Sequence, residues 1–239
     1  GRVNLKEVDG KTYASGAFET WGASGITGVW AEENTRAAIY DAFRRKETFA
    51  TSGPRMKVRF FGGYGFDAAL LANEDHLTQA YHSGVSMGSE LLANGGKAPD
   101  FVAWATRDAN SAALQRLQIV KGWSVNGEHH EHVYDVACSD GGAVDADTHR
   151  CPDNGAGVDL TDCSITEGVG AGELATVWSD PDFDPAHRAF YYVRALENPT
   201  CRWSTWDAIK AGVPPRADLK STIQERVWSS PIWYIPDAG

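Results

Sequence analysis

The chain has 239 residues, of which 42% are hydrophobic and 23% charged, and its 32 acidic against 22 basic side chains give a formal net charge of -10 at pH 7. These values are ordinary for a globular protein with one large or two small domains. No apolar run approaches the roughly 18 residues of a membrane span, and no basic face is evident that could neutralise nucleic-acid phosphates. We therefore expect neither a membrane span nor a nucleic-acid partner.

A helix followed by a strand is the first clear pattern along the chain. Asn34 is a good N-cap for a helix over about residues 35–46, because its side chain can accept hydrogen bonds from the free amides of the first turn. Three bases at 44–46 suit the negative end of the helix dipole. The apolar residues that share one helix face, and that we expect to be buried, are Ala38, Ile39, Ala42 and Phe43. After a glycine-proline break, alternation over 56–60 predicts a strand with one buried face.

From residue 56 onward the pattern is mostly β. Strand-like runs, separated by segments rich in Gly, Pro, Asp and Asn, lie near 56–61, 101–106, 114–124, 129–137, 174–178, 189–196 and 226–234. Asn126 and Gly127 predict a type I′ hairpin turn, since both central positions of that turn need a positive φ. Further helices are predicted near 74–83 and 204–211, the second with Ser204 as its N-cap.

Five long sequence blocks carry a family resemblance. They are SGITGVWAEENTR (24–36), FATSGPRMKVRFFGG (49–63), WSDPDFDP (178–185), AFYYVRALENPTCRWSTWDA (189–208) and IQERVWSSPIWY (223–234). In this order they resemble the family catalogued as domain of unknown function 3604, which is related to the polymerase-and-histidinol-phosphatase (PHP) metal-dependent phosphoesterases. The resemblance covers nearly the whole chain and implies a divalent metal cofactor and a small-molecule phosphoester substrate.

The resemblance also implies a domain organisation. Such proteins place their metal-binding residues in upstream His-x-His and Ser-Asp-x-His type segments, and neither type occurs in this sequence. We therefore expect the C-terminal part of a larger protein, which partners its upstream catalytic portion and is inactive alone. In this prediction, residues 1–55 complete an α/β (PHP-like) domain, and 56–239 form a β-sandwich with an acidic, cysteine-containing insertion at about 138–173. This part would support the fold and the rim of the site.

The alternative belongs to a different functional class. It is a non-catalytic, extracytoplasmic β-sandwich module that binds a glycan, calcium or a partner protein. A glycan would stack on aromatic residues near the C-terminus, and the candidates are Trp203, Trp206, Trp228 and Trp233. Aromatic residues in strands are more often part of the core, so core packing is the competing interpretation.

All four cysteines, Cys138, Cys151, Cys163 and Cys201, lie in the second half of the chain. Pairing Cys138 with Cys151 and Cys163 with Cys201 would close a short and a longer loop, but the sequence leaves three connectivities open. Free buried thiols and a zinc site are the alternatives, and zinc lacks the close cysteine pairs that such sites usually have. Disulfides would indicate a periplasmic or secreted protein.

One candidate site would bind an anion such as the phosphate of a substrate. Its residues are Glu32, Asn34, Arg36, Thr51, Ser52 and Arg55. The free amides at the start of the first helix, together with Arg36, could hold a phosphate. In the structural alternative, Asn34 only caps the helix and Arg55 pairs with a carboxylate.

Two further candidates would bind a metal. Asp180, Asp182 and Asp184 alternate in DPDFDP and could converge on calcium, although the spacing lacks the glycine and glutamate of an EF-hand, and a rigid turn is the alternative. His130 and His132 point to one face of a strand, as a metal-binding pair would, or they form an exposed hairpin end. No nucleophile elbow, P-loop or dinucleotide fingerprint occurs, so no catalytic residue is predicted.

Overall fold

The computed structural model describes residues 4–15 and 24–237. The strands are β1 (Asn4–Val8), β2 (Lys11–Ser15), β3 (Ile26–Val29), β4 (Thr48–Thr51), β5 (Lys57–Gly63), β6 (Gly84–Ser86), β7 (Glu90–Leu92), β8 (Asp100–Thr106), β9 (Leu114–Val125), β10 (Glu128–Cys138), β11 (Glu173–Ser179), β12 (Ala189–Glu197), β13 (Thr200–Cys201), β14 (Thr222–Ile223), β15 (Arg226–Ser229) and β16 (Ile232–Ile235). The helices are α1 (Arg36–Arg44), α2 (Ala68–Leu71), α3 (His76–Ser83) and α4 (Trp203–Lys210). The fold is mostly β, which confirms that part of the prediction.

Two sheets make up most of the structure. The larger sheet has the strand order β10-β9-β12-β15-β4-β3, with β16 also paired to β12 and β7 paired to β16. The smaller sheet has the order β11-β8-β5-β6. Neighbours in both sheets are antiparallel except β16 and β7, which are parallel. The larger sheet includes β3 and β4, which α1 connects, through the pairing of β4 with β15. The division into domains at residue 55 stays a prediction.

One apolar core is shared by the two sheets. Among its fully buried side chains are Phe60, Phe101, Leu117, Ile119, Tyr191, Val193, Val227 and Ile232. In β12 the buried residues Tyr191 and Val193 alternate with half-buried neighbours, because successive side chains of a strand point to opposite faces. A second cluster, built around Phe61 and Val102, lies on the outer face of the smaller sheet, where α2 and α3 cover it. The outer face of the smaller sheet is therefore partly buried as well.

The larger sheet divides into two branches at Ser230 and Pro231. β15 and β16 both pair with β12, but on their other side β15 pairs with β4 and β16 with β7. The division is fixed by two backbone bonds, from the Ser230 amide to the Thr48 carbonyl and from the Gly88 amide to the Pro231 carbonyl, each 2.9 Å. Proline has no amide hydrogen to continue a ladder. The prediction of one strand over 226–234 was therefore wrong.

Two predicted helix caps were also wrong. Thr35, not Asn34, is the N-cap of α1, and its Oγ1 accepts a hydrogen bond of 3.3 Å from the Ala38 amide. Threonine and asparagine are both favoured at N-caps, so adjacent candidates cannot be separated by residue type alone. α4 follows Arg202, which places Ser204 inside the helix. The predicted apolar face of α1 is only partly buried, since Ala42 is buried but Phe43 is 49% exposed.

The hairpin turn and two disulfides are present. Asn126 and Gly127 have φ values of 52° and 83°, as a type I′ turn needs. The disulfides are Cys138–Cys151 and Cys163–Cys201, each with a Cα separation of 5.6 Å. All four cysteines are thus paired, which leaves no thiol for zinc.

The acidic segment between β10 and β11 uses carboxylates to build its turns. Asp145 accepts hydrogen bonds from the amides of Asp147 and Thr148, and Asp140 accepts one of 2.9 Å from the amide of Gly170. The contacts of Asp145 are local ones typical of turns, whereas the contact of Asp140 joins two residues that are 30 positions apart. In the part of the chain that the structure describes, no helix is long and apolar enough to span a membrane.

Candidate functional site

A cleft opens where the larger sheet divides. Its larger part is a cavity of about 1020 Å³. The walls are residues 30–32 after β3, the turn 44–47 between α1 and β4, residues 84–90 of the β6–β7 segment, and one side of α3. The cleft is therefore assembled from four segments that lie far apart in the sequence.

Two backbone features bring the turn 44–47 against residues 84–90. Lys46 has a φ of 59° in the left-handed region, which is uncommon for a residue with a side chain. Gly88 has a φ of 88°, and a Cβ atom built on it would lie 2.4 Å from the Lys46 carbonyl oxygen. Only glycine allows this approach without a shift of the backbone. On the other wall, the Trp30 amide donates to the Glu47 carbonyl at 3.0 Å.

Glu47 is the centre of the polar contacts in the cleft. It is buried, and its Oε1 accepts hydrogen bonds from Ser86 Oγ at 2.8 Å and from the Tyr81 hydroxyl. Its Oε2 lies 3.5 Å from Nη2 of Arg45. Burial raises the pKa of Tyr81, and the hydrogen bond to Glu47 raises it further, so the phenol stays protonated at neutral pH and can donate.

Arg59 lies beside this centre with its guanidinium held in place. The guanidinium carbon is 3.7 Å from the centre of the Trp30 ring, and Nη1 donates to the Tyr81 hydroxyl at 2.9 Å. Trp30 is held in turn by a hydrogen bond of 2.8 Å from its Nε1 to the Val58 carbonyl. An arginine has five N–H donors, so a guanidinium fixed by one hydrogen bond and one stacking contact keeps donors for a ligand.

The cleft is locally basic in an acidic chain. The charged side chains that line the larger cavity are Arg44, Arg45, Lys46, Arg59, Glu32, Glu47 and Glu90. An adjoining cavity of about 280 Å³ shares Trp30, Arg59 and Leu77 with it and adds Lys57. Five cations therefore face three carboxylates, and this balance favours an anionic ligand.

The predicted anion site is not gathered in one place. Of its six residues only Glu32 lines the cleft. Thr51 pairs with Ile26, whereas the cleft lies at the other end of that ladder, where Thr48 pairs with Val29. Asn34 and Arg36 are exposed at the start of α1.

The remaining two members of that predicted site have protein partners elsewhere. Ser52 Oγ is hydrogen-bonded to the Glu225 carboxylate and accepts from the Arg226 amide at 2.8 Å. The Arg55 amide donates to Asp108 at 2.7 Å. Both residues thus help to join loops.

The three aspartates of DPDFDP do not converge either. Asp180 is buried, lies 2.6 Å from the ammonium of Lys121, and accepts a hydrogen bond of 2.7 Å from the hydroxyl of Tyr191. Asp182 accepts a hydrogen bond from Tyr134 at 2.6 Å, while Asp184 faces His187. Burial and the charge of Asp180 raise the pKa of Tyr191, so this hydroxyl remains a donor. A buried carboxylate neutralised by an ammonium group is a structural ion pair.

The two candidate histidines stack on aromatic rings. His130 lies 5.2 Å from the Trp123 ring, and His132 lies 4.1 Å from the Tyr134 ring. Across residues 4–15 and 24–237, no group of three or more histidine, cysteine, aspartate or glutamate side chains could hold a metal ion. Trp203 and Trp206 lie on α4, Trp228 on β15 and Trp233 on β16. They therefore do not share one secondary-structure element.

The sequence patterns did not identify four residues of the cleft, namely Glu47, Tyr81, Ser86 and Arg59. They belong to no motif, and their contacts depend on the position of α3 relative to the division of the larger sheet. The one local signal is the glutamate that directly follows three bases at the end of the first predicted helix. That arrangement alone is also typical of a solvated helix end.

Comparison with known proteins gives a family and no closer relative. No curated protein and no solved structure matches the chain. A family model described as protein of unknown function (DUF3604) matches residues 3–236. Because this match covers nearly the whole sequence, the chain belongs to the DUF3604 family.

Proposed function

We propose that the chain is part of a metal-dependent phosphoester hydrolase related to the PHP enzymes, and that its cleft binds the anionic group of the substrate. The observation that carries this proposal is the excess of cations in the cleft of a chain with a net charge of -10. The chain supplies substrate binding and supports the fold, with its two main sheets forming a β-sandwich and residues 1–55 completing an α/β layer.

The divalent metal of such an enzyme does not fit the described residues of this chain, because no three metal-binding side chains converge there. In the proposal its ligands come from the upstream catalytic portion of the same protein. In this proposal, the present chain binds the anionic group of the substrate and the upstream portion of the protein catalyses the hydrolysis.

The roles of the cleft residues follow from their contacts. Arg59 presents its remaining donors to the anion, because Trp30 and Tyr81 fix its orientation. Glu47 positions Tyr81 and lies beside Arg45, so that one buried carboxylate orders two neighbouring polar groups. Charge-assisted hydrogen bonds from arginine to phosphate are among the strongest polar contacts in proteins.

We also propose that the protein works in an oxidising compartment, either the periplasm or the space outside the cell. Both disulfides support this location, because such bonds are rare where thiols are kept reduced.

Calorimetric titration of the chain with inorganic phosphate tests the proposed function. We expect saturable binding that is weakened about tenfold or more by Arg59→Ala and Arg45→Ala, since each removes a cation from the cleft. Arg36→Ala is the matched control, because Arg36 is exposed at the start of α1 and does not line the cleft. Loss of binding in Arg36→Ala alone would favour the start of α1 as the anion site, and no binding by the unaltered chain would contradict the proposal.

A second candidate, the glycan-binding module, is favoured by one observation. On the outer face of the larger sheet the rings of Phe190 and Tyr192 are nearly parallel, and Phe190 lies 5.2 Å from Trp233. The adjoining groove of about 440 Å³ also contains Glu131 and Arg188. Flat rings beside hydrogen-bonding groups suit a sugar. Titration with a neutral oligosaccharide in the same instrument separates the two candidates.

A further inference from the structure

The cleft has two halves with different chemistry. The polar half is the cavity around Glu47, lined by the turn 44–47 and residues 84–90. The aromatic half is the adjoining smaller cavity, lined by Trp30, Lys57, Val58, Arg59, Leu77, Trp104 and Thr106. Because Trp30, Arg59 and Leu77 line both cavities, the two halves are continuous.

The aromatic half lies on the outer face of the smaller sheet. Arg59 pairs with Trp104 and Lys57 with Thr106 across β5 and β8. His76 at the start of α3 contacts the Trp104 ring, with 4.5 Å between the ring centres. The part of Trp104 that lines the smaller cavity forms one wall, and the stacked pair of Trp30 and Arg59 forms another.

Few polar side chains line the aromatic half. Among the described residues that line it, Lys57 and Arg59 are charged, and the Thr106 hydroxyl is the other polar side chain apart from the indole N–H groups. The Trp30 Nε1 already donates to the Val58 carbonyl, and the Trp104 Nε1 is buried without a partner. The rest of the lining is mostly apolar, from Leu77 and the two indole rings, so this half suits a flat aromatic group.

We infer that the ligand of this cleft is a phosphoester of a planar aromatic group, with the phosphate in the polar half and the ring in the aromatic half. The inference rests on the proposed function and adds the substrate class. Arg59 joins the two parts of the ligand, because one guanidinium offers donors to a phosphate and a flat cationic face to a ring. Trp104 and Leu77 supply the apolar contact area.

Titration of the unaltered chain with three probes tests this inference. The probes are inorganic phosphate, methyl phosphate and phenyl phosphate, which share the anion and differ in the attached group. We expect phenyl phosphate to bind about tenfold more tightly than methyl phosphate. Equal binding of all three would overturn the inference and leave the proposed function standing. No binding by any of them would overturn the proposed function itself.

A pair of tryptophan variants locates the ring. Trp104→Leu should abolish the preference for phenyl over methyl phosphate and leave the affinity for inorganic phosphate unchanged, since Trp104 does not line the polar half. Trp233→Leu is the control on the other sheet and should keep the preference. A full preference in a folded Trp104→Leu variant would overturn the placement. If that variant does not fold, the three-probe titration on the unaltered chain still decides.

Discussion

Two buried glutamates differ in the partners of their carboxylate oxygens. Glu47 has partners for both of its oxygens. Glu197 is fully buried, and while its Oε2 accepts from Ser111 at 2.6 Å, its Oε1 has no partner. Burial, reinforced by the charge of Glu225, raises the pKa of Glu197 to about 7. The folded protein therefore holds this carboxyl protonated in mildly acidic solution.

The raised pKa of Glu197 predicts a loss of stability as the pH rises. A carboxyl whose pKa is higher in the folded state stabilises the fold fully below its ordinary value of 4.5 and loses that contribution as the pH rises through about 7. The difference corresponds to roughly 3 kcal/mol. Glu197→Gln cannot ionise, and its amide oxygen can still accept from Ser111. We expect urea unfolding to give this variant a higher stability than the unaltered chain at pH 8 but not at pH 4.5.

Glu173→Gln is the control for that measurement, because Glu173 is exposed at the start of β11. It should leave the pH dependence unchanged. If Glu197→Gln kept the same pH dependence as the unaltered chain, Glu197 would not be the titrating group.

At the scale of secondary structure, strands were predictable and their partners were not. Strand-like runs bounded by Gly, Pro, Asp and Asn placed β8, β9, β10, β11 and β12 within a few residues, because those four residue types favour turns and β-branched and aromatic residues favour strands. The division of the larger sheet was missed, since it depends on which distant strand lies beside each half of 226–234. Pro231 was visible in the sequence, but proline also occurs at bulges and edges of continuous strands.

The contact between Gly88 and the turn 44–47 predicts a localised cost for adding a methyl group. Gly88→Ala places a Cβ 2.4 Å from the Lys46 carbonyl at a positive φ, whereas Gly65 has a similar φ of 89° and open space around its Cβ position. Alanine at a positive φ costs about 1–2 kcal/mol at either position. We expect Gly88→Ala to lower the free energy of unfolding by at least about 1 kcal/mol more than Gly65→Ala. Urea unfolding of the two variants measures this difference.

Phosphate titration of the same two variants tests whether the substitution changes the shape of the cleft as well as the stability of the fold. Gly88→Ala should also weaken phosphate binding, because it displaces a wall of the cleft, and Gly65→Ala should not. Equal stability losses in the two variants would show that φ alone matters at Gly88.

At the scale of the whole molecule, the two disulfides secure the region with the least regular structure. The segment between β10 and β11 has, within it, one isolated bridge, between Val158 and Ile165. One disulfide anchors its start to the end of β10, and the other joins Cys163 to β13. The cysteine spacing made this pairing one of three candidates, but the choice required the positions of β10 and β13, which sequence spacing does not contain.

Removal of each disulfide should destabilise the chain according to the loop that it closes. The sequence separations are 13 and 38 residues. Loop-closure entropy gives a loss of about 3 kcal/mol for replacing Cys138 and Cys151 by alanine, and about 4 kcal/mol for replacing Cys163 and Cys201. Guanidinium unfolding of the two double variants under oxidising conditions measures both losses. The reverse order would mean that the packing of the disulfide sulfurs in the folded state outweighs loop entropy.

The fold class, the hairpin turn and the candidate cysteine pairs came from local patterns, whereas the cleft did not. Arg59 is in a strand whose alternation was evident, yet its neighbours Trp30 and Tyr81 are 29 and 22 residues away in the sequence. Only the tertiary structure brings these side chains together, and no short motif encodes the arrangement.

The backbone bonds at Ser230 and Pro231 hold the shape of the cleft, whereas the chemistry of the cleft depends on the side chains that line it. Both branches of the larger sheet are paired with β12. Main-chain groups of Thr48 and Gly88 set the distance between the two branches. The side chains that line the cleft take no part in these two bonds. Substitution of the lining residues should therefore change the chemistry of the cleft while its width stays the same.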